Sequence, residues 1–197
     1  MSLLVLTGER GVGKTTVCYK TVALAQTAGY RCAGIITLSR PDNEREVLDV
    51  STGETRCLTT KPDTASAVHQ GRFYFDPHVL EWGNSVLTNA LPCHLLVVDE
   101  LGPLEIERGE GWVHAFTTLR EAAQSSLLSL LVVRPELVAR VCSILPVEAT
   151  ITVNVANRDN LPYALLHTLK STTSLWHKPH REAEATSDAT CFPSSTE

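Results

Sequence analysis

The sequence predicts a three-layer α/β fold: a mostly parallel sheet with helices on both faces and a small antiparallel strand insertion. Continuously apolar runs such as Leu3–Leu6 and Leu95–Val98 alternate with helical patterns, as strands buried on both faces do. The first of these runs breaks into a glycine-spaced loop that leads straight into a helix. Between residues 31 and 59, three short strands follow one another through connections too tight for a parallel crossover.

After the strand Leu3–Leu6 comes Gly8-Glu9-Arg10-Gly11-Val12-Gly13-Lys14-Thr15-Thr16. Gly8, four residues, Gly13, Lys14 and Thr15 satisfy G-x-x-x-x-G-K-[ST], the pattern of a phosphate-binding loop. Its glycines let backbone N–H groups turn inward around phosphate oxygens, where a Cβ would block the approach. Lys14 is expected to place its ammonium between the β- and γ-phosphates, and the Thr15 hydroxyl to take one coordination site on Mg²⁺. The following helix carries Val17, Val22, Ala25 and Ala28, stops at Gly29, and adds its positive N-terminal dipole to the loop.

Arg31–Leu38 reads as a strand and Arg40–Glu46 as an exposed turn. Glu46–Val50 and Arg56–Thr59 flank the turn signal Ser51-Thr52-Gly53-Glu54 and complete the antiparallel insertion. Lys61–Gly71 is polar and reads as a loop, and Arg72–Phe75 as a short aromatic strand. A helix to about Leu91 follows, with Asp76 as its cap and Pro77 in its first turn. His94–Glu100 is a second apolar strand, this one ending in two acids. Beyond it lie a loop at Leu101–Gly111, a helix at Trp112–Ala123, a strand at Ser126–Val133 and a short helix at Pro135–Cys142. A strand at Ala149–Val155 and a helix at Asn160–Leu169 close the domain, expected to span residues 1–170. Residues 171–197, rich in Ser, Thr, Glu, Asp and Pro, are expected to form a disordered tail.

A 43% hydrophobic content over 197 residues supports one ordinary domain with a real core. No apolar run reaches the roughly 18 to 20 residues of a membrane helix, so no membrane association is expected. The net charge of −5 argues against a stable nucleic-acid binder, which would carry a basic stripe. Met1–Leu6 lacks the basic start and length of a signal peptide, and the six scattered cysteines form no C-x-x-C pair. Free thiols and a cytoplasmic location are therefore expected. His177 and His180 come closest to metal-ligand spacing but sit in the polar tail.

Asp99, at the end of the apolar run Leu95–Val98, fits a Walker B strand that delivers a carboxylate to the magnesium side of the phosphate loop. Glu100, directly after it, can sit near a γ-phosphate and orient or deprotonate an attacking water, which favours hydrolysis over storage of a nucleotide.

Three blocks in order give the chain, over Leu3 to Leu169, a resemblance to a known family. They are Leu6-Thr7-Gly8 through Gly13-Lys14-Thr15-Thr16, then Val97-Val98-Asp99-Glu100-Leu101-Gly102-Pro103-Leu104-Glu105, and Asn157-Arg158. The chain resembles the small nucleoside-triphosphatases of the thermophilic type and the cancer-related nucleoside-triphosphatase. That similarity implies a P-loop NTPase fold whose catalytic Glu adjoins the Walker B Asp. It also implies slow, Mg²⁺-dependent hydrolysis of ATP, GTP and related triphosphates to the diphosphate. By position, Glu105 would be an acid in or just behind the site, and Asn157 and Arg158 would lie near the nucleotide. Those two residues read equally well as a capped turn before the last helix. The family's glycine- and arginine-rich turn between its second and third strands is replaced here by Arg40-Pro41-Asp42-Asn43-Glu44-Arg45-Glu46.

A nucleotide or small-molecule kinase would share the loop but should bring a lid with several arginines, and Arg134–Arg140 holds two. A switch GTPase should carry Asn-Lys-x-Asp, from which Asn157-Arg158-Asp159-Asn160 departs twice. A third reading is a nucleotide-gated binding module whose hydrolysis serves as a timer. The sequence names no protein partner for it.

Overall fold

The computed structural model describes residues 2–62, 66–125 and 128–176. Its frame is a seven-stranded sheet with strands β1 (Ser2–Thr7), β2 (Cys32–Ser39), β3 (Arg45–Asp49), β4 (Thr55–Cys57), β7 (Leu95–Leu101), β8 (Leu128–Val133) and β9 (Ala149–Thr152). Their order across the sheet is β4-β3-β2-β7-β8-β1-β9. β2, β7, β8, β1 and β9 run parallel, while β3 and β4 extend the β2 edge antiparallel, which is the expected insertion. A separate hairpin pairs β5 (Val68–Gln70) with β6 (Phe73–Phe75), so part of the expected Lys61–Gly71 loop is strand.

Alternation along the buried strands sorts side chains to two faces. Leu3, Val5, Ile35, Leu96, Val98 and Leu131 meet α2 (Pro77–Thr88), α4 (His114–Ser125) and α5 (Val138–Ile144) through Leu80, Leu87, Leu119 and Val141. Leu4, Leu6, Ile36, Val97, Leu130 and Val132 meet α1 (Lys14–Thr27) and α6 (Leu161–Trp176) through Val17, Val22, Leu165 and Leu169. Two cores on one sheet give the three layers.

Asp76 caps α2 by accepting from the His78 N–H at 2.9 Å, with Pro77 in the first turn. Several boundaries differ from expectation, β9 for one stopping at Thr152 rather than Val155. The expected loop after β7 contains the single turn α3 (Pro103–Ile106). α4 starts at His114 rather than Trp112, because Trp112 is buried and its N–H is bonded elsewhere. α6 continues through Trp176, so residues 171–176 of the expected tail are helical, while residues 177–197, with His177 and His180, lie outside the described residues. Among the described residues no helix is long and apolar enough to cross a membrane.

Register fixes where chemistry can occur. Leu6 pairs with Val132, Val132 with Asp99, and Asp99 with Ile36, so the carboxyl ends of four parallel strands stand level. Ligands of open α/β sheets bind at that edge.

Candidate active site

The glycine loop leaves β1 at this edge. Gly8, Gly11 and Gly13 hold φ of 138°, 75° and 108°, the left-handed region that side chains disfavour. Gly8 faces a second constraint, since a Cβ there would strike the Val153 carbonyl. Gly13 is the N-cap of α1, so Lys14, Thr15 and Thr16 form the helix's first turn, where N–H groups have no partner within the helix. Lys14 Nζ donates to the Gly8 carbonyl at 2.6 Å and to the Glu9 carbonyl at 3.0 Å. The ammonium is thus held over the loop's own backbone. Glu9 and Arg10 are exposed, and Val12 N–H closes a turn onto the Glu9 carbonyl at 3.4 Å.

Asp99 lies across from the loop and is 1% exposed. Its main-chain carbonyl accepts from Thr37 Oγ1 at 2.7 Å. Burial pushes its carboxyl up to about 7, and the neighbouring Glu100 adds to this, against the Thr15 hydroxyl, Thr37 and Lys14. Its Oδ2 is sealed from solvent without a hydrogen-bond partner, a condition that native structures rarely tolerate. A hydroxyl beside an orphaned carboxylate oxygen is an all-oxygen donor set suited to a hard divalent cation. Among the described residues no group of three His, Cys, Asp or Glu could enclose a metal alone, so phosphate and water oxygens would complete the shell.

Between Asp99 and Leu101 the pairing with β8 shifts, leaving Glu100 as an extra residue in β7. Such bulges re-aim a side chain. Glu100 Oε1 accepts from Arg134 Nε at 2.7 Å, and both side chains are partly exposed. Glu105, which the family resemblance puts in or just behind the site, has both carboxylate oxygens engaged. Oε2 accepts from the Gly102 N–H at 2.8 Å and Oε1 from the Trp112 N–H at 3.1 Å. It clasps the 102–112 segment that follows the acid pair.

Asn157 Oδ1 accepts from the Asn154 N–H at 2.9 Å and its Nδ2 donates to the Thr152 carbonyl at 2.9 Å, a self-capped turn. Arg158 Nη1 donates to the Val12 carbonyl at 3.4 Å, behind the loop. Gly8–Gly11, Gly13–Thr16, Asp99 and Glu100 line one cleft of about 1010 Å³, whereas Asn157 and Arg158 do not.

In the cleft's far wall Arg45 was not legible in the sequence, whereas Arg72 is one of the arginines, with Arg10 and Arg108, that the sequence offers as an arginine finger. Arg45 from β3 and Arg72 from the β5–β6 turn set their guanidinium carbons 5.1 and 5.0 Å from the Phe73 ring centre. Burial lowers the Arg45 guanidinium below its ordinary value, and the like charges of Arg10 and Arg72 add to this. The sequence offers Arg134 only as part of a kinase-type lid. Its one sequence signal is that it follows an entirely apolar strand, as Asp99 does.

A glycine loop capping a helix, level with an acid pair and walled by arginines, defines a P-loop nucleotide-binding protein. The family model for NTPases matches residues 3–166, and the chain belongs to that family. It is 32% identical to nucleoside-triphosphatase THEP1 of Methanosarcina barkeri, over 82% of this chain and 94% of that protein. With THEP1 of Methanosarcina acetivorans it shares 37% identity over 54% of this chain and 63% of that protein. The solution structure of a human cancer-related nucleoside triphosphatase has the same fold, with a TM-score of 0.65 and 21% identity, over 87% of this chain and 98% of that one.

Proposed function

We propose that this chain is a cytoplasmic, Mg²⁺-dependent nucleoside-triphosphatase that hydrolyses ATP, GTP and related triphosphates to diphosphate and phosphate, slowly and with broad base specificity. The observation that carries this reading is the meeting of the loop at Gly8–Thr16 and the pair Asp99–Glu100 in one cleft at one sheet edge. Loop N–H groups and Lys14 bind the phosphates. Thr15 and Asp99 would hold the metal, which when bound would supply positive charge against the triphosphate's negative oxygens. Glu100 orients and deprotonates the water.

Purified protein given Mg²⁺-ATP or Mg²⁺-GTP with no acceptor should release phosphate, and chelation should stop it. Release only on addition of a metabolite would make the chain a kinase and overturn the hydrolase.

A further inference from the structure

Arg134 directly follows β8, the strand between β1, which ends in the phosphate loop, and β7, which ends in the acid pair. Its side chain therefore leaves the sheet between the two halves of the site, and it lines the same cleft. Its contact with Glu100 is made by Nε at 2.7 Å, and a guanidinium carries five N–H donors in all, more than this one bond uses. With side chains 49% and 37% exposed, the pair is of the solvent-screened kind that contributes little to stability. A terminal phosphate offers a guanidinium more charge and a two-point fit. It competes well for this residue.

Resting on the hydrolase reading above, we propose that Arg134 is the cleft's sensor of the terminal phosphate. It holds Glu100, as seen here, until a γ-phosphoryl group draws it away, and the released carboxylate then faces the attacking water. In the step that follows, the water oxygen bonds to the γ-phosphorus and Glu100 takes a water proton. The bridging oxygen leaves with its electron pair as diphosphate. A nucleoside diphosphate lacks the group that breaks the pair, so the base stays engaged when there is no bond to cut. Arg134 is then a catalytic residue supplied in cis, where some phosphate-loop enzymes take an arginine from a partner protein.

The test is a binding cycle on the full chain by titration calorimetry, using Mg²⁺-ADP and a non-hydrolysable Mg²⁺-ATP analogue. Arg134→Ala should lose about 10- to 100-fold in affinity for the triphosphate and change diphosphate affinity less than about twofold. Arg134→Lys should keep part of the triphosphate preference. Glu100→Gln removes the competing charge, so it should bind the triphosphate several-fold more tightly and the diphosphate unchanged. That gain should vanish in the double variant. Equal weakening of both nucleotides by Arg134→Ala, or a Glu100→Gln gain that survives without Arg134, overturns the proposal. Phosphate release by the unaltered chain is scored separately, so failure of the hydrolase reading is distinguishable from failure of the sensor.

Discussion

Lys14 Nζ lies 2.6 Å from the Gly8 carbonyl, so the loop's only ammonium is fixed by the backbone at the loop's own entrance. On the proposed reading its position is already set, and it would meet a polyphosphate with little reorganisation. Lys14→Ala should therefore lose triphosphate binding by about 100-fold or more while the fold persists. Unchanged affinity in a fluorescent-nucleotide titration would remove the phosphate-loop assignment.

Glu100 tests the chemistry apart from binding. Glu100→Gln should retain the triphosphate and turn over something like 10²- to 10⁴-fold more slowly, the range of a lost general base. Single-turnover phosphate release within about twofold of the parent would exclude Glu100 from the mechanism.

Asp99 links the site to pH. Its carboxyl sits near 7 when folded, against an ordinary 3.8, so the folded chain favours the protonated acid. Stability from this group is full below about pH 4, is lost as pH rises toward 7, and stays lost above, a difference on the order of a few kcal/mol. In metal-free buffer at pH 8, Asp99→Asn should melt above the parent, and added Mg²⁺ should raise the parent's Tm alone. Equal melting of the two chains at pH 8 would show that the buried carboxylate is compensated.

Thiol reactivity should follow burial. Burial pushes the Cys32 thiol up to about 11 and the Cys93 thiol up to about 12, and raises the Cys18 thiol well above its ordinary value. Cys57 and Cys142 are exposed. Iodoacetamide at pH 8 should label Cys57 and Cys142 in the native chain, and Cys18, Cys32 and Cys93 only after unfolding. Peptide mapping that found Cys93 modified early would contradict this packing.

The parts of the fold and site that could be read in the sequence are those whose physics is local. Leu3–Leu6 needs no partner to declare itself a buried strand, and Gly8 through Thr15 carries its spacing within eight residues. The Asp76 cap and Pro77 are neighbours. What escaped is relational. Arg134 reaches Glu100 across 34 positions, and Arg45 meets Phe73 only because β3 and the β5–β6 hairpin fold toward each other. Val68–Gln70 is too short for its alternation to be distinguished from a polar loop. Glu105 has the composition of a catalytic acid, and only the positions of the Gly102 and Trp112 N–H groups reveal it as a clasp.

Among the described residues β1 pairs only with β8 and β9, both from much later in the chain, and the Arg158 brace reaches Val12 from 146 positions away. On the ribosome, the glycine loop emerges early and must wait for nearly the whole domain before it has walls to lean on. Nucleotide is thus a ligand of the finished protein that tightens an assembled domain by mass action and cannot template the nascent one.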